Sequence, residues 1–198
     1  MKLSKFALGA AALFCAVAAN ASVVGTAGGG YGSFLSLAST GPLAGTFSSN
    51  GTVIATETGG SIMNFSTDAS TMPVGTVGNY LSDSGTGTTT LTFSTGVSYL
   101  SFLWGTPDTY NVLTVNGVTF HGSDFGFPDN GVPGSGGYVQ FTGTEGTLIN
   151  TLAFSNSPQT NAFETANYSI TPVPEPETYA LLLAGLGVMA FVARRRKS

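Results

Sequence analysis

Short apolar runs, separated by residues that favour turns, make up most of the chain between residues 22 and 171. In the run from 97 to 104, Leu100, Phe102 and Trp104 would share one face of a strand, with Leu103 on the other face. Both faces are then largely apolar, as in a central strand that is covered on both sides. No stretch of this region keeps the 3.6-residue period of an amphipathic helix for three turns. The pattern therefore predicts an all-β domain.

The clearest single element is a β-hairpin between Val112 and Phe120. Two alternating runs, Leu113-Thr114-Val115 and Val118-Thr119-Phe120, flank the pair Asn116-Gly117. Asn-Gly is the preferred pair for a two-residue type I′ turn, because both residues must take a positive φ. The sequence thus predicts that these two runs pair as neighbouring antiparallel strands.

Other apolar runs predict further strands, at 52–55, 62–65, 88–93, 138–141, 148–155 and 168–170. A turn is predicted at Ser94-Thr95-Gly96, and a surface loop at 122–137, which is rich in glycine, proline and aspartate. The glycine cluster at 28–32 lacks the strand-to-helix context of a phosphate-binding loop, so we interpret it as a flexible start of the domain. Many short strands with glycine-rich turns are typical of a single antiparallel β-sandwich or jelly-roll-like domain.

The first 21 residues have the pattern of a secretory signal peptide rather than of a buried N-terminal helix. Two lysines precede an apolar stretch at 6–18. Ala19 and Ala21 then place small residues at the two positions that signal peptidase reads. Cleavage would leave a domain of residues 22–171, a length that suits one domain with its own core.

The charges are divided sharply between this domain and its flanking segments. All six basic residues lie outside the domain: Lys2, Lys5, Arg194, Arg195, Arg196 and Lys197. Ten residues are acidic; two of them, Glu175 and Glu177, lie near the C-terminus, and eight lie in the domain: Glu57, Asp68, Asp83, Asp108, Asp124, Asp129, Glu145 and Glu164. A domain without a cation cannot neutralise phosphates, which argues against nucleic acid or anionic lipid as its ligand. Apolar burial and hydrogen bonds, and not salt bridges, must stabilise the domain.

Cys15 is the only cysteine and lies within the predicted signal peptide. The mature domain therefore has no disulfide, no thiol nucleophile and no cysteine-based metal site. A lipoprotein signal is the alternative use of Cys15, but Phe14 stands where that signal has a small residue.

Residues 172–198 form a second targeting segment. The prolines of Pro174-Glu175-Pro176 keep the chain extended. Residues 179–193 carry no charge and would form a transmembrane helix of about 22 Å, against a hydrocarbon core of about 30 Å. The basic residues that follow, Arg194, Arg195, Arg196 and Lys197, would mark the cytoplasmic end of this helix. The domain would then lie outside the cytoplasm, whether the segment is a sorting signal or an ordinary anchor.

This order of parts resembles the PEP-CTERM sorting signal that exosortases recognise, and the resemblance covers Val173 to Ser198. It implies that a membrane-embedded exosortase cuts near the Pro-Glu-Pro step after signal peptidase has acted. The protein would pass through an inner-membrane intermediate to the cell surface or to the extracellular polysaccharide matrix. A structural or biofilm-matrix role follows as the expected function.

Two stretches of the domain resemble segments of some exosortase-dependent surface proteins. Phe102 to Asn111 is similar to their Trp-Gly-Ser-x-Asp-x-Tyr-Asn stretch, with Thr106 in place of the serine. Ala162 to Asn167 is similar to the Phe-Glu-x-x-Asn run that often precedes their tag, with Ala166 in place of a commoner aspartate. This resemblance implies a location more than an activity.

No motif in the domain predicts an enzyme. His121 is the only histidine, and Ser123 and Asp124 are too close to it in sequence to form a catalytic triad with it. We interpret His121 as a residue at the end of the hairpin. One histidine without a cysteine argues against a zinc site, and no spacing among the eight acids singles out a pair for glycoside hydrolysis.

Calcium is a cofactor that the acidic composition leaves open. Asp108 with Asn111 is one set of oxygen ligands, and Asp124 with Asp129 and Asn130 is another. Neither set matches an EF-hand loop, and Asx residues at such places commonly form turns instead.

Carbohydrate binding is the alternative function, through a jelly-roll module that is delivered by the same route. Trp104, Tyr110 and Tyr138 could stack on sugar rings. Because Trp104 belongs to an apolar strand, however, we expect its side chain in the core.

Overall fold

The computed structural model describes residues 22–84, 87–156 and 161–172, together with Leu186 and Met189. Its elements are β1 Val23–Ala27, β2 Ser36–Gly41, β3 Ala44–Ser49, β4 Thr52–Thr58, β5 Ser61–Met63, β6 Tyr80–Asp83, β7 Thr89–Trp104, β8 Asn111–Val115, β9 Val118–Phe120, a short 3₁₀ helix Gly122–Phe125, β10 Gly137–Gly143, β11 Ile149–Asn156 and β12 Phe163–Pro172. Neighbouring strands pair antiparallel. The predicted all-β class is confirmed.

Hydrogen bonds join the 12 strands into one sheet that is organised around its longest strand, β7. The first half of β7 lies between β4 and β11, in a first limb with the order β2-β3-β4-β7-β11-β8-β9. The second half of β7 lies between β10 and β12. This second limb continues to β1 beyond β10, and to β6 and β5 beyond β12.

Aromatic rings of the two limbs pack against each other and form a sandwich-like core. Phe47 of the first limb meets Tyr168 of the second at a ring-centroid distance of 4.8 Å, and Phe154 meets Phe163 at 5.2 Å. Phe102 lies between them, 5.2 Å from Tyr168 and 5.9 Å from Phe154. Large buried rings of this kind contribute most of the apolar area in a core. Residues 22–172 contain no lysine or arginine, so these contacts take the place of ion pairs.

The predicted turn at Ser94-Thr95-Gly96 is wrong, because these residues lie inside β7, where the strand passes from one limb to the other. A Cβ at Gly96 would come within 2.6 Å of the Asn150 Oδ1 atom and 2.7 Å of Leu148. The β11 register also shifts opposite this point, between Ile149 and Thr151. Glycine inside a strand commonly marks such a close approach or bend. The Ser-Thr-Gly segment therefore has the composition of a turn although it lies inside a strand.

The predicted hairpin is confirmed, with Leu113 opposite Phe120 and Val115 opposite Val118. Asn116 has a φ of 47° and Gly117 a φ of 83°, as a type I′ turn requires. The Asn116 side chain also accepts hydrogen bonds from the backbone N–H groups of Asn150 and Thr151, at 2.9 and 3.2 Å. The turn is therefore joined to β11 as well as to its own strands.

The remaining predicted strands overlap observed ones, namely β4, β5, β10, β11, β12 and the first half of β7. The loop predicted at 122–137 begins with the 3₁₀ helix. The glycine cluster at 28–32 is not a free start of the domain: Gly28 N–H donates to the Tyr138 carbonyl at 2.7 Å, and Gly30 N–H donates to the Ser101 hydroxyl at 2.9 Å.

The two ends of the folded sheet differ in the kind of connection they carry. One end, the turn end, surrounds the middle of β7 and has three tight turns, Asn50-Gly51, Asn116-Gly117 and Glu145-Gly146, with positive φ at all six residues. The opposite end, the loop end, holds both ends of β7 and the long connections 64–79, 105–110 and 121–136. There Thr89 donates a hydrogen bond to Asp83 of β6, β6 pairs with β12, and β12 pairs with Trp104, so the two ends of β7 are linked.

Candidate functional site

The two stretches singled out by resemblance come together at the loop end. Thr165 of β12 pairs with Trp104 of β7, and the Gly105 N–H donates to the Glu164 carbonyl at 2.9 Å. The rings of Trp104 and Phe163 stack at 4.4 Å. Segments that are about sixty residues apart in sequence therefore build one site, because β7 and β12 are neighbours in the sheet.

Glu164 lies at the centre of this site and is only 2% exposed. One of its carboxylate oxygens accepts a hydrogen bond from the Thr106 hydroxyl at 2.5 Å, and the other accepts from the Thr71 N–H at 2.9 Å. Burial raises the pKa of Glu164 to about 7, although both hydrogen bonds oppose this shift. A threonine in place of the serine at position 106 keeps the hydroxyl that Glu164 needs.

Asn167 makes a second contact with the same long connection, 64–79. Its side-chain oxygen accepts from the Val77 N–H at 2.7 Å, and its amide donates to the Gly75 carbonyl at 2.9 Å and to the Tyr138 hydroxyl at 2.8 Å. Glu164 and Asn167 thus hold the connection 64–79 against β12 at two points. Both residues of the Phe-Glu-x-x-Asn run therefore have structural partners.

Polar side chains line a cleft of about 260 Å³ beside Glu164: Asp68, Thr71, Thr106, Asp108 and Asn161. Its carboxylates and hydroxyls offer hydrogen-bond acceptors to a ligand with hydroxyl groups. Ala166, where an aspartate is commoner, is fully buried and adds no ligand. In the described part of the chain, no group of three or more His, Cys, Asp or Glu side chains is arranged to hold a metal ion.

The residues proposed for calcium are engaged in turns. The Asp108 N–H donates to the Asn111 side chain at 2.9 Å, and the Tyr110 hydroxyl donates to the Asp108 carboxylate at 2.7 Å. Asp124 accepts from the His121 N–H, and Asp129 accepts from the Ser123 N–H, each at 2.8 Å. The structure thus brings Asp108 to Asn111, and places Asp124 and Asp129 around the 3₁₀ helix. Calcium binding at either set stays a prediction.

His121 follows β9 directly, as expected of a residue at the end of the hairpin. Its Nδ1 atom lies 3.2 Å from the Asn111 carbonyl, and the Asp124 carboxylate accepts from the backbone N–H of His121. Trp104 is fully buried, which confirms its expected place in the core. The Tyr138 hydroxyl is held by Asn167.

A second acidic pair, Glu57 and Asp83, was not singled out by the sequence. Both carboxylates are buried, at 1% and 0% exposure. Glu57 accepts from the Gly60 N–H at 2.6 Å, and Asp83 accepts from the Thr89 hydroxyl at 2.9 Å, while the Glu57 Oε2 and Asp83 Oδ2 atoms have no hydrogen-bond partner. Burial, with a smaller contribution from the Glu57 charge, raises the pKa of Asp83 to about 6, although the hydrogen bond from Thr89 opposes this shift. The strand period could have identified Glu57, because it lies two residues after the buried Ala55 and so on the same face.

Comparison with known proteins bears on the C-terminal segment. Residues 172–197 match the family model of the PEP-CTERM protein-sorting motif. The chain is a PEP-CTERM domain-containing protein. This motif implies a secreted protein that an exosortase processes and that is destined for the cell surface. Comparisons with curated proteins and with solved structures gave no match.

The PEP-CTERM motif and the predicted signal peptide lie almost wholly outside the described residues. This holds for Pro174-Glu175-Pro176, for the four terminal basic residues, and for Ala19 and Ala21. The predicted helix at 179–193 is described only at Leu186 and Met189. Among the residues that are described, no helix has the length and apolar character to span a membrane.

Proposed function

We propose that this PEP-CTERM protein is an exosortase substrate with a structural role at the cell surface or in the extracellular polysaccharide matrix. The match at residues 172–197 carries the proposal. Two features of the body support a structural role. Its polar groups at the candidate site hold loops to strands, and its motifs suggest no reaction, so we propose that it is not an enzyme.

The proposed route begins with export and cleavage after Ala21 by signal peptidase. Residues 179–193 then hold the chain in the inner membrane, with the basic cluster 194–197 on the cytoplasmic side. Exosortase cuts near Pro174-Glu175-Pro176 and releases the body. Because the body has no lysine or arginine, contact with a matrix polysaccharide would depend on hydrogen bonds rather than on attraction to acidic sugars.

Fractionation of two hosts, one with its exosortase and one without it, tests the proposal. We expect mass spectrometry to find a released body that begins at Ser22 and ends near Pro174-Glu175-Pro176 only in the first host. The second host should keep a longer form in its membrane fraction. Full-length protein in the membrane of both hosts would show that the tail is an ordinary anchor. Loss of matrix material on deletion of the gene would support the structural role, and an unchanged matrix would contradict it.

Carbohydrate binding is a second candidate function, and the polar cleft of about 260 Å³ is the observation that favours it. Its Asp68 and Asp108 carboxylates could accept hydrogen bonds from sugar hydroxyls, whereas both oxygens of the buried Glu164 already accept from Thr106 and Thr71. A glycan array with the released body tests this function. We expect Asp108→Asn to abolish any binding at this cleft and Glu145→Gln, at an exposed turn, to leave it unchanged.

A further inference from the structure

Both targeting segments leave the body from the same end of the sheet, the turn end. At the start of the body, the Thr144 N–H donates to the Ser22 carbonyl at 2.8 Å, and Val23 pairs with Gly143. At the end of the body, Pro172 pairs with Val97, in the middle of β7. In this limb β1 and β12 are separated only by β10 and β7. Three strand spacings of about 4.8 Å put the two departure points roughly 14 Å apart.

The candidate site lies at the opposite end of the same strands. Glu164 is near the start of β12 and Thr171 is near its end. Seven residues at about 3.3 Å each separate them by roughly 23 Å. The same holds along β7, where Trp104 lies at the loop end and Val97 lies at the turn end.

The acidic residues are distributed just as unevenly. Among the described residues, Glu145 is the one acid at the turn end, in the tight turn between β10 and β11. The other seven acids of the body lie toward the loop end: Glu57, Asp68, Asp83, Asp108, Asp124, Asp129 and Glu164. The turn end therefore carries one exposed acid, whereas the loop end carries four acids that are not buried, Asp68, Asp108, Asp124 and Asp129.

We propose that the turn end faces the lipid bilayer while the C-terminal segment still holds the protein in the membrane, and that the loop end with its cleft points away. The inference rests on the proposed export route. Residues 173–178 connect Pro172 to the apolar stretch and can span at most about 22 Å, at roughly 3.6 Å per residue. The turn end must stay within that distance of the membrane.

Charge gives the same orientation. Anionic headgroups repel carboxylates over a screening length of about 8–10 Å at physiological salt. With the turn end toward the bilayer, the acids of the loop end lie roughly 20 Å further out, beyond that length. The reverse orientation would bring the four acids of the loop end that are not buried, Asp68, Asp108, Asp124 and Asp129, against the headgroups, and the short connection could not reach around the body. Only Val173 lies between the last paired residue and Pro174, so exosortase must also approach at the turn end.

A matched pair of cysteine variants tests the orientation. Val53→Cys lies at the turn end and Val132→Cys at the loop end, and the two valines have similar exposures of 46% and 52%. Each variant is made in a full chain carrying Cys15→Ala, so that it has one thiol, and is purified from the membrane of a host without exosortase. A fluorophore on the cysteine is then measured in phosphatidylglycerol-containing vesicles with and without a nitroxide-labelled headgroup.

We expect the nitroxide to quench the label at position 53 and to leave the label at position 132 largely unquenched. Equal quenching, or stronger quenching at position 132, would overturn the proposed orientation. If a variant fails to fold, the pair Thr95→Cys and Ser123→Cys, again with one exposed residue at each end, repeats the comparison. This test uses protein that is still in the membrane, whereas the proposed function is tested by release, so the two can fail separately.

Discussion

At the scale of single residues, Glu164 is the most informative side chain, because its carboxylate joins the two stretches that the resemblance singled out. It is buried without a cation, and it accepts hydrogen bonds from Thr106 and Thr71. The folded-state pKa of about 7 lies above the ordinary value of 4.5. The folded protein therefore holds this proton more tightly than the unfolded chain does.

Glu164→Gln should therefore weaken the pH dependence of stability. The stabilising contribution of the protonated Glu164 is fully present below about pH 4.5 and is lost as the pH rises to about 7. Glutamine mimics the protonated form, so this part of the slope should disappear from urea unfolding free energies measured between those pH values. Glu145→Gln, at an exposed turn, is the control and should keep the wild-type slope. Superimposable pH profiles for the wild type and Glu164→Gln would contradict the prediction.

Asp83 is a second buried carboxyl: burial and, to a smaller extent, the Glu57 charge raise its pKa, and residues 22–172 contain no lysine or arginine to compensate. We expect Asp83→Asn to be more stable than the wild type at pH 8, where the wild-type carboxylate is ionised in the core. At pH 4 the advantage should vanish, since Asp83 is then protonated in the folded protein. The urea midpoints of both proteins at the two pH values measure this. If Asp83→Asn were more stable than the wild type by the same amount at pH 4 and pH 8, the charge of Asp83 would not be the cause.

At the scale of elements, the Asn116-Gly117 hairpin was predicted because one dipeptide determines it locally. Asn116→Ala places a residue that tolerates positive φ poorly at a φ of 47°, and it removes the hydrogen bonds to β11. Gly117→Val places such a residue at a φ of 83°. Each change should lower the free energy of unfolding by roughly 1 kcal/mol or more. Gly117→Asn, which tolerates positive φ, is the matched control and should cost less. Unchanged urea midpoints for Asn116→Ala and Gly117→Val would contradict the role of this turn.

Other elements could not be predicted because tertiary contacts determine them. The Ser94-Thr95-Gly96 segment has the composition of a turn, yet it continues β7 between Phe93, which pairs with β4, and Val97, which pairs with β11. β2 and β3 are rich in serine, threonine and glycine, and only Leu37 and Phe47 are large apolar residues within them. The burial of β3, for example, depends on the pairing of Phe47 with Ala55 of β4 and on the contact of its ring with Tyr168 of β12. The local pattern does not reveal these contacts.

The candidate site was predictable only in part, for the same reason. The residues of both motifs could be named from the sequence, but their meeting depends on the pairing of β7 with β12. Thr71 joins the site from a connection without any distinguishing motif. Glu57 of β4 and Asp83 of β6 come together because both strands contact β7. Only the strand period at Glu57 gave a local sign of burial.

At the scale of the whole molecule, the fold separates a turn end, where the body begins at Ser22 and ends at Pro172, from a loop end that carries the cleft and most of the acids. Under the proposed orientation, this arrangement would allow a body without cations to be held close to a membrane during sorting. It also limits the access of the processing enzyme. Because Pro172 is still paired in β12, the stretch that the enzyme can grip is short and begins at Val173.

Release by exosortase should therefore depend on the identity of the residues at Pro174-Glu175-Pro176. Because proline restricts the backbone and favours an extended chain, Pro174→Ala together with Pro176→Ala, or Glu175→Ala alone, should block release under the proposed route and leave membrane insertion intact. Glu177→Ala, which removes the neighbouring acid outside the Pro-Glu-Pro step, is the matched control and should be released like the wild type. Mass spectrometry of released material and a blot of the membrane fraction distinguish these outcomes.

Replacement of the four basic residues at 194–197 by glutamine or serine should have a different effect, because we propose that these residues orient the apolar segment rather than form the cleavage site. We expect loss of membrane retention and of defined topology, seen as body protein that is protected from external protease or secreted without the cut at the Pro-Glu-Pro step. Efficient, correctly cut release of that variant, together with blocked release of Glu177→Ala, would show that the processing signal lies elsewhere in the tail.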